Sequence, residues 1–234
     1  MIDIAMKNPT VPDAALFDMD GLLIDTERLS LESFAQTCTE YSLGDQRALF
    51  LSLVGSNEAS LMLILQRGIG DRVDVKGFRG HWAERYHVLI TEGELLLKPG
   101  VPELLAWLAL NRVKLAVATS SATSIATMKL TRTGIIHWFQ EIVGGDTVRN
   151  SKPDPEIFLN AAAVVGADKT RTIVFEDSSN GVKAGVAAGF AVFQVPDLVE
   201  PTAELLLLQH RVCKSLHEVL DILKSGEFQF SGQV

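Results

Sequence analysis

Two aspartates stand two residues apart in LFDMDGLLIDTE, directly after the apolar run Ala14, Ala15, Leu16 and Phe17. Asp18 and Asp20 thus sit at the edge of a buried strand. Like charges there need a cation, a hydrogen-bond network or a raised pKa to be tolerated. Three further groups of residues follow comparable runs or lead into a helix: Thr119 with Ser120 and Ser121, Lys152 within NSKPDP, and Glu176 with Asp177. Acidic groups facing hydroxyl and ammonium donors describe a place for a hard cation and a phosphate. Mg²⁺ suits such a set, because it keeps several waters and takes only one or two protein carboxylates beside phosphate oxygens. Ca²⁺ is the rival, but an EF-hand loop counted from Asp18 would put Leu22, Leu23 and Leu29 at its fifth, sixth and twelfth positions, where acidic or glycine residues are required.

The positioning elements are legible as short apolar runs: AALFD, VKLAVAT ending at Thr119, EIVGG ending at Gly145, TIVFE ending at Glu176 and AVFQV ending at Val195. Runs apolar on both faces, separated by helix-length segments, are the sequence form of parallel strands covered by helices. The fold class expected is α/β, a doubly wound parallel sheet. Ligands of such sheets bind beyond the carboxyl ends of the strands, where the candidate residues fall. PELLAWLALN reads as a helix, as does DPEIFLNAAAVVG, with Asp154 as N-cap, Pro155 as first helical residue and Gly166 as stop.

Between the first and second runs lie roughly 95 residues, against the ~30 of a βαβ unit. They predict an inserted helical domain over residues 28–94, dividing the core into 12–27 and 95–225, with linkers near Thr26 and Glu94. Inside the insertion, Leu31, Phe34, Ala35 and Cys38 form one helical stripe, LMLILQRG follows a Ser56/Asn57 cap, and Phe78, Trp82, Arg85, Tyr86 and Leu89 form another face.

A chain of 234 residues, 47% hydrophobic and 21% charged, can bury a large core. A net charge of -8 gives no support to a nucleic-acid or anionic-membrane surface. No run reaches the roughly 18 apolar residues of a membrane span, and MIDIAMKNPTVPDA lacks signal-peptide form. A cytoplasmic location is expected. Cys38 and Cys213 read as buried, reduced thiols. Residues 1 to about 12 are expected to be a loose leader, and SGEFQFSGQV a fraying end.

FDMDGLLIDTE, ATSS at 118–121, SKPDPEIF and FEDSSNGVKAGVAAG, in that order, resemble the haloacid dehalogenase superfamily, in the branch of β-phosphoglucomutase-like proteins and small phosphosugar phosphatases. The resemblance spans residues 14 to about 223. It implies a Rossmann-like core with a helical-bundle cap inserted after the first motif. It further implies Asp18 as nucleophile, giving an aspartyl-phosphate, and Asp20 as general acid and base. Thr119 would bind the phosphoryl group, with Ser120 and Ser121 beside it, and Lys152 would neutralise charge. Mg²⁺ would be held by Asp18, Asp177 and the Asp20 main-chain carbonyl, with Glu176 as ligand or orienter. Cap residues set specificity in this branch. The mutase pattern places a histidine where this chain has Ser30, an arginine where it has Glu58 and a lysine where it has His87. Loss of these groups points to hydrolysis, with phosphosugar mutase as the alternative; Arg85 and His87 remain candidates for substrate contact. Dehalogenation needs neither Asp20 nor the metal site, and a non-catalytic binder predicts a damaged nucleophile or acid. The expectation is a Mg²⁺-dependent phosphatase of a small sugar or nucleoside-type phosphate monoester, acting as a monomer or weak homodimer.

Overall fold

The computed structural model describes residues 11–230. Most of the expected leader and the last four residues of the tail lie outside the described residues.

Among the described residues, six parallel strands form one sheet: β1 (Ala14–Phe17), β2 (Lys114–Thr119), β3 (Glu141–Gly144), β4 (Thr172–Glu176), β5 (Ala191–Gln194) and β6 (Arg211–Val212), in the order β3-β2-β1-β4-β5-β6. Side chains alternate between the two faces, so Ala15, Phe17, Ile173 and Phe175 enter one core while Ala14, Leu16 and Val174 enter the other. Each fully buried Phe or Leu of these clusters contributes about 1.5–3 kcal/mol relative to exposure. Phe17 stacks on Phe175 at 4.8 Å between ring centroids. β6 has no counterpart among the five expected runs. It is two exposed residues at the sheet's edge, too short and too polar to show an apolar pattern.

Around the sheet lie α5 (Val101–Leu110), α6 (Thr123–Arg132), α7 (Glu156–Val164), α8 (Ser179–Ala187), α9 (Ala203–Leu206) and α10 (Leu216–Ser225). α7 starts one residue later than expected, with Pro155 as its N-cap, and Asp154 Oδ1 accepts from the Glu156 amide at 3.0 Å. The expected fraying end is ordered as far as it is described: Phe230 is buried and Phe228 packs on Phe193 at 5.1 Å. Aromatic burial there outweighs the polar character of the tail.

Between β1 and β2 stand α1 (Thr26–Glu40), α2 (Arg47–Leu53), α3 (Glu58–Ile69) and α4 (Val75–Glu92), packed around an apolar cluster of their own. Phe34 is its centre, with Trp82, Phe50 and Phe78 at 5.1, 5.4 and 5.6 Å. Ala35, expected on the buried stripe of α1, is exposed; Ser33 and Thr37 occupy that face instead. They are tolerated because Thr37 Oγ1 donates to the Ser33 carbonyl at 2.8 Å and Trp82 Nε1 donates to Ser33 Oγ at 3.1 Å. The two chain crossings into the helical unit run side by side: the Asp25 amide donates to Leu96 O and the Lys98 amide to Leu23 O. Thr26, near which a linker is expected, is the first residue of α1. No helix among the described residues is long and apolar enough to cross a membrane.

Candidate active site

The register of the sheet brings the site together. Phe17 is level with Val117 on one side and Phe175 on the other, so Asp18 emerges beside Ala118 and Glu176. Lys152, 6% exposed, reaches across this junction. Its Nζ donates to Asp18 Oδ1 at 2.5 Å, to Glu176 Oε1 at 2.6 Å and to the Ala118 carbonyl at 3.0 Å. Three acceptors around one buried ammonium fix its position, and they hold the lysine pKa above its ordinary value although burial opposes this.

Glu176 is fully buried and both of its oxygens are engaged. Oε1 takes Lys152, while Oε2 accepts from the Asp177 amide at 3.0 Å, the Ser178 amide at 2.9 Å and Ser178 Oγ at 3.0 Å. In this arrangement Glu176 orients Lys152 and the turn into α8. Gly181 is required by it, because a Cβ there would overlap the Glu176 carboxylate.

Asp20 is held by a different cation. Its Oδ1 accepts from Lys129 Nζ and Thr26 Oγ1, both at 2.6 Å, and its Oδ2 from Ser121 Oγ at 2.8 Å. Burial alone would raise this carboxyl, but the Lys129 charge and the three donors outweigh burial and keep its pKa below the usual range. Burial raises Asp18, in contrast, to about 7, with the Lys152 charge opposing and the Glu176 and Asp20 charges adding to the rise. Asp177 is also raised, by burial and then by Glu176 and Asp18. Glu27, in the cleft wall, is raised to about 7 by burial and by Asp20 and Asp197.

A cleft of about 530 Å³ opens above these groups. Asp18, Asp20, Thr119, Ser120, Ser121, Lys152 and Asp177 line it, whereas Glu176, expected on the same rim, is fully buried and is not part of the lining. Thr119 Oγ1 accepts from the Ser121 amide at 3.1 Å, which leaves its own proton free to donate into the cleft. Arg85 and His87 do not line it. Arg85 pairs with Glu40 on α1, and His87 is exposed. Helical geometry gives the reason: Arg79, Trp82 and Tyr86, three and four residues apart on α4, share the face that meets the cleft, while Arg85 and His87 flank Tyr86 about 100° to either side. Ser30 and Glu58 are at the cleft.

Two residues escaped sequence reasoning. Lys129 is a lysine on the buried stripe Ala126, Lys129 and Leu130 of α6, and that placement was its available signal. Tyr86 meets it: Lys129 Nζ lies 3.0 Å from the Tyr86 hydroxyl, which burial raises to about 12. Arg79 was hidden in a helix rich in charges; its Nε and Nη2 donate to the two Glu58 oxygens at 3.1 and 3.0 Å.

The donor set fits Mg²⁺. Asp18 and Asp177 are buried carboxyls, each raised first by burial and then by the Glu176 charge, with Asp18 adding to the rise of Asp177, and a cation would relieve both. Gly21, at φ +85°, lies so close that a Cβ would come within 2.5 Å of Asp177 Oδ2. Among the described residues no three Cys, His, Asp or Glu side chains close a metal shell by themselves. Such a ligand-poor site suits an ion that retains water.

The sequence matches the haloacid dehalogenase-like hydrolase family over residues 15–195. A phosphorylated carbohydrates phosphatase of Thermotoga maritima is 33% identical over 218 residues, covering 89% of this chain and all of that protein. A fructose-1-phosphate phosphatase of Escherichia coli is 29% identical, covering 77% of this chain and 94% of the relative. The crystal structure of CbbY from Rhodobacter sphaeroides in complex with phosphate superposes with a TM-score of 0.69 at 26% identity, over 89% of this chain and 96% of that one.

Proposed function

From the premise that this chain belongs to the haloacid dehalogenase-like hydrolase family, we propose that it is a phosphatase of small phosphorylated sugars that works through an Asp18 phosphoenzyme and depends on Mg²⁺. The observation that carries the reading is the separate holding of the two aspartates. Asp18 is tied to Lys152 and Asp20 to Lys129, so two carboxylates on one rim serve different tasks.

Asp18 Oδ1 is pinned by Lys152, and the second carboxylate oxygen attacks phosphorus. As the new bond from that oxygen to phosphorus forms, the bond from phosphorus to the ester oxygen breaks, and Asp20 gives the leaving oxygen a proton. Asp20 is ionised while Lys129, Thr26 and Ser121 all donate to it. Approach of a phosphate anion raises its proton affinity, so that Asp20 takes up a proton from solvent water as substrate binds and holds it for the leaving oxygen. Left as a base after the alcohol departs, Asp20 then takes a proton from the water that attacks the aspartyl-phosphate. Inorganic phosphate leaves and Asp18 is regenerated. Lys152 and the Thr119 hydroxyl stay near the transferring oxygens, in keeping with a reaction governed by positioning and charge. Mg²⁺ held by Asp18, Asp177 and the Asp20 carbonyl would supply charge neutralisation for the incoming phosphate.

The names of the relatives support a phosphorylated carbohydrate as substrate. Phosphate release from a panel of sugar phosphates, with and without Mg²⁺, tests the proposal; no release from folded, Mg²⁺-loaded protein would overturn it.

A further inference from the structure

Among the described residues, the part of the cleft lining that comes from the helical unit carries one cation, Arg79, and that cation is already occupied. Nε and Nη2 form the bidentate fork with Glu58 described above, and the guanidinium lies 5.1 Å from the centre of the Trp82 ring. The aromatic face and the carboxylate together hold it in place. Arg79 and Glu58 come from different helices, α4 and the first turn of α3, and both line the same cleft as the catalytic aspartates.

A fork of this kind has two chemical consequences. The pair is electrically neutral, so an approaching second phosphate finds no net positive charge and meets the Glu58 carboxylate, which is 62% exposed. An uncharged hydroxylated group finds the opposite. The remaining guanidinium hydrogens donate to its oxygens, and the free lone pairs of Glu58 accept from its hydroxyls. Asn57 and Ser56 beside the pair extend the same neutral polar surface.

We propose that the Glu58–Arg79 pair is the specificity element of the site: it selects monophosphates whose remainder is a neutral polyol and rejects substrates bearing a second phosphate. This rests on the phosphatase reading and adds to it the discriminating residues and the sign of the discrimination. Glu58 masks Arg79. Removing the mask exposes a cation in the cleft lining, so the defect in bisphosphate hydrolysis is built to be reversible by one substitution.

The test is kinetic, on the full chain with Mg²⁺, using a hexose monophosphate, the corresponding hexose bisphosphate and phenyl phosphate. Glu58→Gln should raise the ratio of kcat/KM for bisphosphate over monophosphate about tenfold, because a like charge is removed and Arg79 is freed. Arg79→Met should lower the ratio of hexose monophosphate over phenyl phosphate about tenfold, chiefly through KM, with partial recovery in Arg79→Lys. Ratios within one variant are insensitive to a general loss of folded protein. Unchanged ratios in Glu58→Gln and Arg79→Met, while phenyl phosphate is still hydrolysed, would overturn the specificity assignment alone. Absence of hydrolysis of all three compounds by the unsubstituted protein would instead overturn the phosphatase reading, and the assignment with it.

Discussion

Lys129 donates to Asp20 across 2.6 Å from a side chain that is only 1% exposed. A buried ammonium has therefore been set against the proposed acid and base, apart from the lysine that is tied to Asp18, the proposed nucleophile.

Replacing Lys129 by Met leaves the Asp20 carboxylate facing an apolar side chain, which should cost about 3 kcal/mol of stability. The pH dependence follows from the two shifts. Asp20 is depressed below 3.8, so its share is present above pH 3.8 and is lost as pH falls further. Lys129 is raised above 10.5, so its share is present below pH 10.5 and is lost as pH rises beyond. Urea unfolding should show a constant deficit for Lys129→Met between those limits and a shrinking one in acid. A deficit that did not change in acid would contradict the ion pair.

Glu176 positions Lys152 through one oxygen and the start of α8 through the other. Gly181→Ala should displace that carboxylate and lower both thermal stability and kcat, with little change in KM. Full activity in a folded Gly181→Ala protein would show that Lys152 does not need Glu176.

Across the cleft, Asn180 Nδ2 on α8 donates to the Gly55 carbonyl of the loop before α3 at 2.6 Å. This bond joins the helical unit to the core beside the site. Asn180→Ala should weaken the docking of the helical unit on the core by about 1 kcal/mol and raise KM several-fold. Steady-state kinetics decide it, and an unaltered KM would mean that the contact does not help to shape the substrate cleft.

Much of this site was legible because the parallel sheet converts sequence position into spatial position. A residue that follows a buried strand arrives at the same rim as its neighbours, whatever the separation along the chain. Asp18, Thr119 and Glu176 could be aligned in that way, and Lys152 by its loop. Helical surfaces give no such shortcut. On α4 the choice among Arg79, Arg85 and His87 depends on which face meets the core, and that is decided by docking of the whole helix rather than by local pattern. Lys129 was obscured for a related reason, since a lysine within an amphipathic stripe reads as a solvated residue until its partner, about 109 positions earlier, is known.

Burial raises the thiols of Cys38 and Cys213 from 9.0 to about 11. Their protonated state favours the fold below pH 9.0, and that contribution fades as pH rises toward 11. Alkylation of the native protein at neutral pH should proceed only as fast as unfolding exposes the thiols. Rapid stoichiometric labelling of folded protein would show that one of them is accessible.

On the proposed mechanism, Asp18 carries the phosphoryl group during turnover. Rapid acid quench of the enzyme turning over a sugar phosphate with Mg²⁺, followed by mass analysis of the intact chain and its peptides, would trap that adduct. One phosphoryl group should appear on Asp18 during turnover and decay after substrate is exhausted, and Asp18→Asn should show neither adduct nor phosphate release. Phosphate release by Asp18→Asn at a comparable rate would contradict the account.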